Sequence, residues 1–260
     1  MAMFYHRVGT GRPLLLLHGL GGSSHSWNTI LDELASEREV IVVDLPGHGA
    51  TPPLAGESSI ATFADATTAF LEAHGLRGTD AAGSSMGARL VLELARRGVV
   101  GAVVSLDPGG FWRGWERTFF ATTVAASGRL VRALDPVMPA LTRNPATRTA
   151  LLAQFSARPW ALPSGVALTE MRSIARSPSY YPLLHSLVHG PDQEGIPAGK
   201  AAGRITIGWG RQDRVCLPRQ AARALRAFPD ARLHWFERCG HFPQWDAPRE
   251  AARLILNGTG

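Results

Sequence analysis

A serine stands between two glycines in Gly83-Ser84-Ser85-Met86-Gly87, where a run of small residues gives way to a helical pattern. A nucleophile carried on a tight strand-to-helix turn adopts strained backbone angles, and bulky neighbours two residues to either side would clash. Glycines at both flanks therefore go with an exposed, reactive hydroxyl on Ser85. Thr79–Ser84 reads as the short strand, and Met86–Arg97 as an amphipathic helix with Leu90, Val91 and Leu94 inward. A serine hydroxyl needs a base, and two later boundaries supply candidates. Ile205–Gly210 reads as a buried strand with Asp213 in the loop after it; Leu233–Phe236 reads as another, followed by Cys239-Gly240-His241. An imidazole takes the hydroxyl proton, and a carboxylate fixes its tautomer and stabilises the imidazolium that forms. Asp107, at the end of the strand ending in Leu106, is a second position open to that acid, with Asp213 favoured by its Gly-Arg-Gln-Asp-Arg context.

The amino-terminal third adds two motifs. Pro13-Leu14-Leu15-Leu16-Leu17 is a continuous apolar run, as in a strand buried on both faces, and it ends in His18-Gly19-Leu20-Gly21-Gly22. Val40–Val43 leads into Asp44-Leu45-Pro46-Gly47-His48-Gly49. With serine, acid and histidine in that order, the chain resembles the serine-nucleophile enzymes of the α/β-hydrolase fold over nearly its whole length. The resemblance implies an α/β fold with a mainly parallel central sheet, helices on both faces and an inserted helical cap. It also implies that the backbone N–H groups of Leu20 and Met86 form an oxyanion hole. His48 belongs to a structural turn in that family, and His18 braces its loop. Two departures stand out: Asp80 lies in the strand before the nucleophile, and Ser84 stands where many relatives carry histidine.

Strands and helices alternate up to Leu106, through Phe4–Val8, Pro13–His18, Val40–Asp44, Thr79–Ser84 and Val100–Leu106, with helical stretches near Ser24–Ser36, Ser59–His74 and Met86–Arg97. From Phe111 to about His189 no strand pattern is visible, only helical pieces broken by prolines, and the alternation returns at Arg204. Residues 1–110 and 200–260 therefore read as the α/β core, and 111–199 as a cap with its return linker. Large side chains in the cap suggest an apolar wall above Ser85, with Trp112, Trp115, Phe119 and, after the histidine, Trp245 as candidate substrate contacts.

Of 27 basic residues, 26 are arginine, and residues 111–190 hold nine arginines against Glu116, Asp135 and Glu170. That excess of +6 equals the net charge of the whole chain. These arginines read first as a solvated outer face; if some of Arg113, Arg117, Arg172 and Arg176 face the entrance instead, they would attract carboxylate- or phosphate-bearing substrates. Scattered arginines without a recognised motif do not point to nucleic acid. No apolar run is long enough to span a membrane and no signal-like segment follows Met1, so a cytoplasmic enzyme with a small-molecule substrate is expected. Cys216 and Cys239 read as reduced packing thiols, and no spacing of His, Cys and acids suggests a metal.

The reading with the fullest support is a cofactor-free hydrolase of an ester or related acyl compound, working through an acyl-enzyme on Ser85. The loop Cys239-Gly240-His241-Phe242-Pro243-Gln244-Trp245-Asp246 is similar to that of carbon–carbon bond hydrolases acting on ring-cleavage products. Ser85-Met86-Gly87-Ala88 is similar to thioesterases, which keeps thioester hydrolysis or acyl transfer open. Epoxide and haloalkane hydrolases need an aspartate nucleophile, so Ser85 argues against both. A ligand receptor on the same fold is the non-enzyme alternative.

Overall fold

The apolar runs Leu14–Leu17 and Val40–Val43 have no solvent exposure, and no alternation of inside and outside relieves them. Strands of that kind need cover on both faces. A computed structural model, describing residues 2–260, shows how the cover is arranged. Strands β1 (Tyr5–Val8), β2 (Pro13–Leu17), β3 (Glu39–Val43), β4 (Asp80–Ser84), β5 (Val103–Leu106), β6 (Ile205–Gly210) and β7 (Arg232–Phe236) form one sheet in the order β1-β3-β2-β4-β5-β6-β7. Only β1 runs antiparallel to its neighbour; every other pair is parallel.

Helices α1 (Leu31–Ala35), α2 (Ile60–Ala73) and α3 (Met86–Arg96) lie among the first five strands. Between β5 and β6 the chain forms only helices: α4 (Trp115–Leu134), α5 (Met138–Arg143), α6 (Pro145–Leu152), α7 (Ser164–Arg176) and α8 (Tyr180–His189), with single 3₁₀ turns between. Helix α9 (Ala221–Ala227) follows β6, and α10 (Pro243–Asp246) and α11 (Pro248–Gly258) follow β7. Alternate residues of β2 serve opposite layers. Leu15 and Leu17 join Phe63, Leu90, Ala224 and, from the helices between β5 and β6, Met138 and Met171, whereas Leu14 and Leu16 meet Leu34, Ala252 and Ile255. Among the described residues no helix is long and apolar enough to cross a membrane.

Two expected elements come out shorter. The stretch Ser24–Ser36 is a 3₁₀ turn at Ser24–Trp27 and then the five-residue α1. Strand β5 starts at Val103 rather than Val100, because Gly101 and Ala102 turn to meet Asp80: Ala102 N–H donates to Asp80 Oδ1 at 2.9 Å.

That contact also explains the acid in β4. Asp80 Oδ2 accepts from Arg38 at 3.0 Å and from Arg12 at 3.1 Å, and both Asp80 and Arg38 are buried. Arg38 in turn donates to Thr259 O and Pro13 O, so one ion pair ties β4 to the N-terminus of β2 and to the chain end. Asp80→Ala should therefore lower stability by about 3 kcal/mol, because it leaves a buried guanidinium short of its carboxylate. Urea denaturation of the two proteins measures this. A loss below about 1 kcal/mol would make the pair incidental.

Candidate active site

Ser85 sits at φ 57°, ψ −115°, on the single residue between β4 and α3. Side chains rarely occupy that region, and the strain persists only where surrounding packing enforces it. Both flanking glycines are part of that enforcement. A Cβ on Gly83 would come within 2.1 Å of Gly87 O, and one on Gly87 within 2.2 Å of Leu17 O. The helix thus starts hard against the sheet, and the Ser85 side chain is turned out from it.

His241 arrives on the loop after β7. Its Nε2 lies 2.7 Å from Ser85 Oγ, and its Nδ1 lies 2.8 Å from Asp213 Oδ2. With the proton on Nδ1, His241 donates to Asp213 and accepts from the serine hydroxyl, the arrangement in which imidazole acts as a base. Asp213 Oδ1 is held by the N–H groups of Val215 and Cys216, at 2.7 and 3.0 Å. The other open acid, Asp107, is also fully buried but makes no contact with His241. Its Oδ1 accepts from Gly210 N–H at 2.8 Å, and its Oδ2 has no partner. Burial and the nearby Asp213 carboxylate push the Asp107 carboxyl well above the usual range, so it stays neutral beneath the site.

The loop Gly19–Gly22 passes over Ser85; a Cβ on Gly19 would lie 3.2 Å from Ser85 Cβ. His18 braces this loop, its Nδ1 donating to Gly19 O at 2.8 Å and its Nε2 accepting from Leu45 N–H at 3.0 Å. Burial lowers both His18 and the adjacent His48, the latter to about 3, so both are neutral struts. The N–H groups of Leu20 and Met86 have no acceptor among the described residues. His241 itself is anchored through its loop: Asp246 accepts from Gly240 N–H at 2.7 Å, Ala157 N–H at 2.7 Å and Ser156 Oγ at 2.5 Å. Nothing in the sequence marked Asp246 beyond its place at the end of that loop.

A narrow cavity of about 50 Å³ opens on Ser85 and His241 under the cap. Trp112 and Trp245 line it, as expected, but Trp115 and Phe119 do not. Trp115 is 58 % exposed, packing edge-on against Phe119 with the Arg219 guanidinium over its ring. On α4 the inward positions are instead Phe120 and Val124, one helical turn apart. None of Arg113, Arg117, Arg172 and Arg176 lines the cavity, in keeping with the reading of these arginines as a solvated face. Arg117 pairs with Asp192 and donates to Val188 O, and Arg172 and Arg176 lie 3.8 and 3.7 Å from Asp135. Sequence reading also missed two charged residues that do line it, Arg89 and Glu170. Spacing could have found Arg89, one turn beyond Ser85 on the same helix; Glu170 carried no signal except as a rare acid between residues 111 and 190.

Cys216, Asp213 and His241 offer ligand atoms within 4.8 Å of one another. Both His241 nitrogens are already engaged, and burial beside two carboxyl groups pushes the Cys216 thiol well up, so the trio does not suit a metal ion. Both cysteines are unbridged and buried.

The family model for the alpha/beta hydrolase fold matches residues 12–248. The chain is 28 % identical over 268 residues to the dihydrolipoyllysine-residue acetyltransferase component of the acetoin cleaving system of Cupriavidus necator, matching 98 % of this chain and 66 % of that protein. It therefore spans just under two thirds of that relative's length. It is also 27 % identical to 2-hydroxy-6-oxo-2,4-heptadienoate hydrolase of Pseudomonas putida, over 96 % of this chain and 90 % of the relative. In fold it is similar to a thermophilic esterase from Thermogutta terrifontis, with TM-score 0.76, 19 % identity, and 98 % and 92 % of the two chains covered.

Glu170 reaches into the cavity from α7 and is tied to the core loop by Ser26 Oγ, which donates to Oε2 at 3.1 Å. Burial pushes its carboxyl up from 4.5 to about 7. The unfolded chain releases this proton near 4.5, whereas the folded protein holds it to about 7. The contribution of Glu170 to stability is therefore full below the lower value and is lost as pH rises through the higher one. Glu170→Gln fixes the neutral form. Relative to wild type it should gain on the order of 2–3 kcal/mol between about pH 5 and about pH 8.5. Paired denaturation curves at the two pH values measure the gain; an unchanged difference would mean the carboxyl is not held neutral.

Proposed function

The chain belongs to the alpha/beta hydrolase fold family, and within it we propose a serine hydrolase that cleaves an ester or related acyl compound through an acyl-enzyme on Ser85. The observation that carries this reading is the unbroken relay from Asp213 through His241 to Ser85, at 2.8 and 2.7 Å, opening onto a cavity under the cap. Ser85 Oγ attacks the acyl carbon while His241 Nε2 takes its proton. The carbonyl oxygen becomes an oxyanion held by the Leu20 and Met86 N–H groups, which have no other acceptor among the described residues. Collapse breaks the bond to the leaving group, which receives the proton from His241. Water then gives a proton to His241, attacks the acyl carbon and frees the acid and Ser85.

Asp213 is the orienting acid in this scheme. Asp107 makes no hydrogen bond to His241, and it accepts from Gly210 N–H at the end of β6, just before the loop that presents Asp213. A second reading, carbon–carbon bond hydrolysis, is supported by the likeness to the Pseudomonas putida hydrolase and by Gln244. That side chain is fully buried, and its Nε2 donates to Ser84 Oγ at 3.1 Å directly behind the nucleophile.

A fluorophosphonate probe should label Ser85, and Ser85→Ala should abolish labelling and lower ester turnover about 10⁴-fold or more. His241→Ala should do nearly the same, and Asp213→Asn should lose about 10³–10⁴-fold with the fold intact. Asp107→Asn should stay within about tenfold. Turnover of a vinylogous 1,5-diketone that exceeds every ester and thioester in kcat/KM would favour the second reading. A mild Asp213→Asn beside a crippling Asp107→Asn would reverse the assignment of the acid.

A further inference from the structure

Arg89 is 4 % exposed and lines the same cavity as Ser85. It follows the nucleophile by one helical turn, its N–H donating to Ser85 O at 3.1 Å. Its guanidinium makes one hydrogen bond, from Nη2 to Pro191 O at 2.6 Å. Nε and Nη1 are buried without any acceptor, and so is Nε1 of Trp112, whose ring centre lies 5.8 Å from the guanidinium carbon. Every unmet polar atom of these two neighbours is thus a donor.

Carboxylates near this end of the cavity are committed elsewhere. Glu93 accepts from Arg96 at 2.8 and 2.9 Å and from Arg97 at 2.7 Å, and Asp192 pairs with Arg117. Glu170, in the same cavity, is held by Ser26. Burial lowers Arg89 to about 10, which still leaves it a cation at neutral pH. A cation buried without a counter-charge is costly, and a stack on indole offsets only part of that. Much of the remaining wall is apolar, including Val124, Met171, Ile174, Leu187 and Val215. A carboxylate would satisfy donors that nothing in the chain satisfies, and a planar guanidinium matches its geometry. Glu170 makes its own part of the wall unsuitable for a second anion once it ionises, so an anionic substrate would have one orientation.

We infer that Arg89, with Trp112, forms a carboxylate subsite, and that the preferred substrate is an acyl compound carrying a free carboxylate besides the bond to be cleaved. This rests on the serine-hydrolase reading for the cleavage step, but binding of the carboxylate can be tested apart from it. Arg89 is in this scheme a specificity-determining residue and takes no part in proton transfer.

The test compares p-nitrophenyl glutarate, which bears a free carboxylate, with its neutral counterpart p-nitrophenyl valerate. Wild type should favour the glutarate ester in kcat/KM. Arg89→Gln should lower the ratio of the two values about 100-fold, and Arg89→Lys should lower it less. Added guanidinium should restore part of the ratio in Arg89→Gln. A ratio unchanged in both variants would overturn the subsite. Binding of glutarate itself to the Ser85→Ala protein, read by calorimetry, is independent of catalysis. It should be present there and at least tenfold weaker in the Ser85→Ala, Arg89→Lys double variant. Equal binding to the two would overturn the subsite even if no ester is turned over; glutarate binding with no ester cleaved would instead retain the subsite and reject the esterase reading.

Discussion

The rest of the site depends on how closely α3 is pressed against the sheet. Ser85 can hold φ 57° only because the helix that follows it cannot move away, and the helix can sit there only because Gly83 and Gly87 lack side chains. The strand beneath is correspondingly small, Ala81-Ala82-Gly83, and would pack weakly by itself. The buried pair of Asp80 with Arg38 and the bond from Ala102 N–H hold that strand where apolar bulk is missing. An acid that looks out of place in a central strand is thus part of what lets Ser85 be strained.

Buried acids around the relay differ in how they are satisfied. Asp213 receives two backbone N–H donors in addition to His241. Asp107 receives one, and burial together with the nearby Asp213 carboxylate holds it neutral. Hydrogen-bond partners therefore distinguish two neighbouring carboxyl groups that the sequence offers for one role. Both sit after strand ends, and the sequence alone left the choice between them to loop context. What could not be read was the direction of each loop: Asp107, at φ 50°, takes its hydrogen bond from Gly210 N–H, whereas Asp213 meets His241 Nδ1.

The legibility of the chain follows the range of the interactions involved. Strands β2 and β3 were plain, because burial on both faces leaves an unbroken apolar run. The turn at Ser85 was plain, because strain restricts the residue types around it. The 3₁₀ turn at Ser24–Trp27 was not, since its hydrogen bonds are local and its buried Trp27 imitates an amphipathic helix. Cap side chains were the least legible. Trp112, Trp115, Phe119 and Phe120 are all large and apolar, yet only Trp112 and Phe120 reach the cavity, because α4 turns Trp115 and Phe119 to the far side. Type told that the cap must bury something; only helix phase told which face does so.

Net charge says little about the cavity for a related reason. The arginine excess between β5 and β6 read first as a solvated face, with a positive entrance as the sharper alternative, and Arg117, Arg172 and Arg176 lie beside acids at the surface. Salt and solvent screen such charges, so their sum says little about a buried site. Arg89, by contrast, is buried beside Trp112 and lines the cavity itself. Arg89 also bonds Pro191 O in the segment that leads towards β6 and lies 5.8 Å from the ring of Trp112 in the segment that leaves β5. Those two segments are themselves joined there, Gln193 N–H donating to Gly110 O at 3.1 Å.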